Sequence, residues 1–236
     1  MGKLVLNMNE LKVLYEDNHI IVVEKPVNVP SQQDKTGDKD MLTIIKDYLK
    51  IKYNKPGNVY LGLIHRLDRP VGGVMVFART SKAAARLSEA VREKKFEKIY
   101  LVIVNGKMEK QCGVLEDYLW KNEKTNLSKV VSESTKNAKY AKLEYEVLKY
   151  REDIDLSLLK IKLHTGRHHQ IRVQLSSRGH DIYGDQKYGT RGSGKQITLW
   201  AYQLSFCHPI SKEWQSYKAL PKINGSWSML KDVENI

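Results

Sequence analysis

One carboxylate of this chain, Asp68, stands in a run of cations. The stretch Ile64–Thr80 reads IHRLDRPVGGVMVFART, with His65 and Arg66 before the acid and Arg69 directly after it. A carboxylate kept ionised by neighbouring positive charge can act as a nucleophile or as a base, whereas burial alone would protonate it. The plainer alternative is a loop salt bridge, the usual fate of an Asp beside an Arg. Two other groups carry chemical promise. Tyr100 lies in the strand-like run EKIYLVIVNG, where a tyrosine most often fills a core. Arg167 lies beside the turn residue Gly166 in HTGRHHQIRVQLSSRGHDIYGDQKYG, and its guanidinium can hold a carboxylate through two bonds. His164, His168, His169 and His180 cluster in the same stretch. Gly166 interrupts the His164/His168 spacing and no Glu follows His164, so a zinc site is disfavoured and no metal is expected.

The elements that must position these groups follow from periodicity. Pro70 and the pair Gly72–Gly73 make a tight loop ahead of an apolar run, Val74–Ala78, that reads as a buried strand. Short strands are expected at Leu11–Tyr15 and His19–Glu24, and another at Val59–Ile64. Leu42, Ile45, Leu49 and Tyr53 mark a helix over Met41–Tyr53 capped by Asp40. A second helix follows Thr80 or Ser81, with Ala84, Leu87 and Val91 on one face and Lys82, Arg86, Arg92, Lys94 and Lys95 on the other. That basic face is either simply solvated or tracks phosphates. Strands are expected at Phe96–Gly106, Val114–Trp120, from Ala141 onward, and at Leu156–Leu163. Asn122–Lys129 reads as a polar loop. Arg167–Arg178 reads as a helix, with Gly179 just past its end.

Composition narrows the partners. The 236 residues carry a net charge of +13, and the cations recur near the candidate site, which favours a polyanion over mere solubility. Cys112 and Cys207 show neither pairing nor zinc spacing, as expected of reduced thiols in the cytoplasm. No secretory signal or membrane span is expected. No phosphate loop, dinucleotide fingerprint or nucleophile-elbow serine is present, which argues against phosphoryl, redox and acyl chemistry.

The motif HRLDRPVGG resembles the His-Arg-Leu-Asp signature of the RluA-type pseudouridine synthases, which isomerise uridines of ribosomal and transfer RNA. YEDNHIIVVEKP resembles the family's opening hairpin, Lys98-Ile99-Tyr100 its Lys-x-Tyr motif, and the segment after Thr165 its Thr-Gly-Arg-x-His-Gln-Ile-Arg motif. The resemblance runs from Leu11 to about Leu220. It implies an α+β pseudouridine synthase fold, a bent, mostly antiparallel mixed sheet with helices outside and a central cleft. One catalytic domain spanning 1–236 is implied, without the small RNA-binding domain that many relatives carry in front. The implied catalytic residues are Asp68, its counter-charge Arg167, and Tyr100, which stacks on the target base. Arg66 is implied to fill the gap left by the flipped base, and His65, Arg69 and Ile171 also fall among the substrate-binding positions. RNA is the implied partner, no cofactor is needed, and a cytoplasmic monomer is expected. Three departures stand out: Gly72 where Ser or Thr is common, His168 where Thr is usual, and Gln174 where His is common. The competing readings are a non-catalytic RNA-binding or rRNA-folding factor on the same scaffold and, more remotely, a metal-dependent RNA hydrolase.

Overall fold

A computed structural model describes residues 11–189 and 196–233. In chain order its elements are β1 (Lys12–Glu16), β2 (Ile20–Lys25), α1 (Met41–Lys52), β3 (Gly62–Leu63), β4 (Gly72–Ala78), α2 (Ser81–Arg92), β5 (Glu97–Asn105), β6 (Cys112–Asn122), β7 (Leu127–Val131), β8 (Lys139–Arg151), β9 (Leu156–Leu163), α3 (Gln170–Ser176), β10 (Leu199–Cys207), β11 (Trp214–Lys218) and a 3-10 helix over Gly225–Asp232. They fall into two compact units, Met1–Phe96 with Ala201–Ala219, and Glu97–Trp200 with Leu220–Ile236.

In the first unit the strand order is β1-β2-β4-β10, with β3 pairing β4 and β11 pairing β10. The β1–β2 turn is made by Asp17, whose Oδ1 accepts the N–H groups of His19 and Ile20, each at 2.7 Å. Helix α1 starts where Asp40 accepts the Thr43 N–H at 2.7 Å, and α2 starts where Thr80 accepts that of Ala83 at 3.2 Å. All seven residues of β4 are buried. Ile20, Val22, Val74, Val76, Ala83, Leu87, Phe96 and Phe206 pack into one cluster, which fixes the strand that follows the candidate loop. The strand expected over Val59–Ile64 shrinks to the two residues of β3. Its ladder reaches Phe77 on β4, and the next N–H in line, that of Val76, goes to the ring Nε2 of His65 at 3.2 Å.

In the second unit the order is β5-β9-β8-β6-β7, with every ladder antiparallel. Its register places Tyr100 opposite Ile161, Ile161 opposite Tyr145, and Tyr145 opposite Gly113. Paired residues share a face, so these lie on the side where Leu119 and Ala141 meet Val173 of α3. The segment read as a polar loop, Asn122–Lys129, is instead a tight turn leading into β7. Asn122 Oδ1 accepts the N–H groups of Lys124 and Thr125, and Asn126 takes a positive φ of 53°. Helix α3 is shorter than Arg167–Arg178 because His169 adopts a left-handed backbone (φ 53°, ψ 25°) just before it. Strands β10 and β11 lie beyond the last expected element.

Candidate active site

The loop that carries Asp68 is held from beneath by a buried lysine. Lys25, at the end of β2, is fully buried. Its Nζ donates to the carbonyls of Pro26 and Arg69, each at 3.0 Å, and of Val71 at 2.7 Å. An ammonium has three N–H donors, and here each has an acceptor. Burial pushes its pKa down to about 7; the charge of Asp68 pulls it back up, while Arg69 adds to the depression. Ser31 holds the other side of the acid, accepting the Leu67 N–H at 3.1 Å and donating to the Leu67 carbonyl at 2.8 Å. Within the loop the Val71 N–H closes a turn on the Asp68 carbonyl at 2.9 Å. Gly73 has φ +124°, and a Cβ there would sit 2.1 Å from the Ala201 carbonyl oxygen. Close approach of β10 therefore demands glycine, as the sequence suggested.

The cations around Asp68 differ in their engagements. Arg66 is exposed. Arg69 reaches back to the loop ahead of α1, donating to Asp34 at 3.2 Å, to Thr36 at 2.7 Å and to Asp38. His65 gives Nε2 to the backbone of β4 and meets Phe96 edge-on at 6.5 Å. Arg69 thus ties the Asp34–Asp38 loop to the candidate site, and His65 ties the start of the motif to the sheet. Part of the α2 basic face is likewise engaged: Arg86 donates to the Pro209 carbonyl at 2.8 Å and Lys95 pairs with Glu93 at 2.6 Å.

In the second unit, Tyr100 is 9% exposed on the α3 side of the sheet. Lys98, two residues earlier, is half-buried, and burial lowers its pKa. Arg167 is exposed at the mouth of α3, held by two bonds. Its backbone N–H donates to Gln170 Oε1 at 3.0 Å and its Nε to the Tyr140 carbonyl at 2.8 Å. A polar chain fixes this turn: the Lys142 N–H donates to Thr165 Oγ1 (2.8 Å), Thr165 to Gln170 Oε1 (2.8 Å), and Gln170 Nε2 to Gln174 Oε1 (3.0 Å). Gln174 in turn donates to Asp117 at 2.7 Å, so the residue that departs from the family pattern serves as a structural link. Ile171 is buried within α3. Beneath the helix, Arg172 pairs with Asp185 through bonds of 2.7 and 2.6 Å. Burial works to raise the Asp185 pKa, but Arg172 and the N–H groups of Lys187 and Tyr188 hold it below the ordinary carboxylate range.

The clustered histidines have separate partners: His164 meets Glu144 (2.8 Å), His168 meets Ser128 (2.9 Å), His169 meets Tyr188 (2.7 Å) and His180 meets the Asn105 carbonyl (3.4 Å). Among the described residues no group of three or more His, Cys, Asp or Glu has metal-holding geometry. Sequence reasoning passed over Lys25 and Ser31. The Lys-Pro ending of the opening hairpin was visible, but the burial of that lysine beneath a loop about 45 residues downstream was not.

In the first unit a lysine-braced loop carries the acid, and in the second a strand carries the tyrosine and a turn the arginine. Residues 19–177 match the family model described as RNA pseudouridylate synthase. An uncharacterized RNA pseudouridine synthase of Aquifex aeolicus is 36% identical over 223 residues, covering 88% of this chain and 68% of its own length. The dual-specificity RNA pseudouridine synthase RluA of Escherichia coli K12 is 33% identical over 218 residues, covering 89% and 92%. The solved structure of human RNA pseudouridylate synthase domain containing 4 superposes with a TM-score of 0.75 at 22% identity, covering 90% of this chain and 89% of that one, and supports the α+β fold. The chain belongs to the RNA pseudouridylate synthase family: it is an RNA pseudouridine synthase, an isomerase.

Proposed function

We propose that this enzyme isomerises specific uridines of ribosomal or transfer RNA, with Asp68 as the catalytic carboxylate. The reaction breaks the bond from C1′ to N1 of uracil, turns the base, joins C1′ to C5, and exchanges the C5 proton for one on the freed N1. The target must leave its stack, at a cost of a few kcal/mol. Arg66, exposed beside Asp68, is suited to fill the gap, and stacking on Tyr100 recovers about 1–3 kcal/mol. Arg167 serves as the counter-charge of Asp68, which attacks C1′ or takes the C2′ proton. Both compact units act as one catalytic domain, in a cytoplasmic monomer that needs no cofactor. One observation carries the reading: Lys25, Ser31 and Gly73 together brace the loop on both sides of Asp68, a rigidity that a surface salt bridge does not require. Ribosomal RNA is a natural first substrate to try, because matched relatives include ribosomal large subunit pseudouridine synthase C of Vibrio parahaemolyticus. The test is tritium release from [5-³H]uridine-labelled ribosomal and transfer RNA of a strain lacking the protein, with modified positions then mapped. No release from any RNA would favour the non-catalytic binder.

A further inference from the structure

Resting on the reading of this chain as an enzyme that acts on RNA, we propose that His168 is a positioning residue: it locks the β6–β7 hairpin to the turn that carries Arg167, so that RNA held by the hairpin arrives in register with the site. The hairpin has the chemistry for a polyanion with bases. Lys124 and Lys129 are exposed, and the Lys129 ammonium lies 5.4 Å from the centre of the Trp120 ring, so cation and aromatic face are offered together.

β7 lies at the end of the strand order, and beside its ladder with β6 it is held through the buried Ser128. Its N–H donates to the Tyr188 hydroxyl at 2.8 Å, and its Oγ lies 2.9 Å from His168 Nδ1. The His168 ring is itself braced. It lies against the His169 ring, with centroids 3.7 Å apart and planes tilted by 31°, and His169 Nδ1 is 2.7 Å from the same Tyr188 hydroxyl. Tyr188 is pinned in turn: its N–H goes to Asp185 at 3.2 Å and its carbonyl accepts from Ser176 at 2.8 Å. Adjacent in sequence, Arg167 reaches the other way, to the Tyr140 carbonyl on β8, the strand that pairs with β6. Residues 167 and 168 therefore reach β8 and β7, the two strands that flank β6. The resemblance places threonine at position 168 in relatives, and a threonine lacks the ring that both lies against His169 and meets Ser128.

The test uses the full chain with His168→Ala, His168→Asn, Ser128→Ala and the double alanine variant. Filter binding to ribosomal RNA from a strain lacking the protein gives the dissociation constant, and tritium release from the same RNA gives kcat and KM. Loss of one hydrogen bond is expected to raise Kd and KM about 3- to 10-fold with kcat within about 2-fold of wild type. The double variant is expected to be no worse than either single one, and asparagine, whose amide sits near the Nδ1 position, is expected to restore binding. Unchanged Kd and KM, additive losses, a fall in kcat at constant KM, or no rescue by asparagine would each overturn the proposal. Should His168→Ala fail to fold, Ser128→Ala and His168→Asn still decide it. If the wild type releases no tritium, the catalytic reading fails, while the Kd series still decides the role of His168.

Discussion

Replacing Lys25 by methionine removes an ammonium from beneath Asp68 while keeping an unbranched side chain of similar length. Three carbonyls then lose their donor. The bond to Val71 is buried, and its acceptor suffers the full desolvation penalty; those of Pro26 and Arg69 are partly exposed and regain water. Counting about 1–3 kcal/mol for the first and about 0.5–1 for each of the others gives a loss of about 2–5 kcal/mol in unfolding free energy. Activity should suffer more than folding, since the loop that loses its brace carries the acid. A kcat lower by about 10- to 100-fold is expected at temperatures where the variant stays folded. The lysine also imposes a pH signature. Its folded pKa, about 7, lies below the unfolded value of 10.5. Between those two values the unfolded chain binds more protons, so this group makes stability rise with pH by an amount on the order of a few kcal/mol. Urea unfolding at about pH 6.5 and about pH 9.5 isolates the effect as the wild type minus Lys25→Met difference. A variant with wild-type kcat and the same pH slope would refute the bracing role.

Further outcomes follow from the same geometry. Gly73→Ala forces a Cβ against the Ala201 carbonyl at a backbone angle that L-residues avoid, so thermal unfolding should show a loss of about 3 kcal/mol or more, or no folded protein. Asp185→Asn leaves the Arg172 guanidinium buried without its charge partner, and denaturant titration should show a loss of about 3–5 kcal/mol. Because Asp185 is held below its ordinary range, its contribution is complete above the unfolded value near pH 4 and fades as pH falls through the folded value. Acid titration of wild type should therefore reveal a decline that the variant lacks.

Local signals in the sequence translated well where neighbours decide the structure. Asp40 and Thr80 cap their helices as their residue types suggest, and Leu156–Leu163 is a strand with the bounds that its alternation predicts. The loop around Asp68 was legible as a turn, but its brace was not, because Lys25, Ser31 and Ala201 come from distant parts of the chain. The fates of Arg69 and His65 were hidden for the same reason: a cation beside an acid in sequence looks like a substrate contact, and only the fold shows Arg69 reaching Asp34 and Asp38. β7 was missed because Asn126 and Asn122 make a turn so tight that its flanks read as one polar loop. β10 carries a readable period-two pattern in Trp200, Tyr202, Leu204 and Phe206, but no chemical motif lies past Gly189 to single it out. The expected start of α3 failed at His169, whose left-handed backbone periodicity does not record.

The most direct measurement is tritium release by Asp68→Asn on [5-³H]uridine-labelled ribosomal and transfer RNA, run beside RNA binding by the same variant. Asparagine keeps the side chain's size and removes its negative charge, so release should fall by at least about 1,000-fold while RNA affinity stays within about 2-fold. Release at the wild-type rate from Asp68→Asn would contradict the assignment of the catalytic carboxylate.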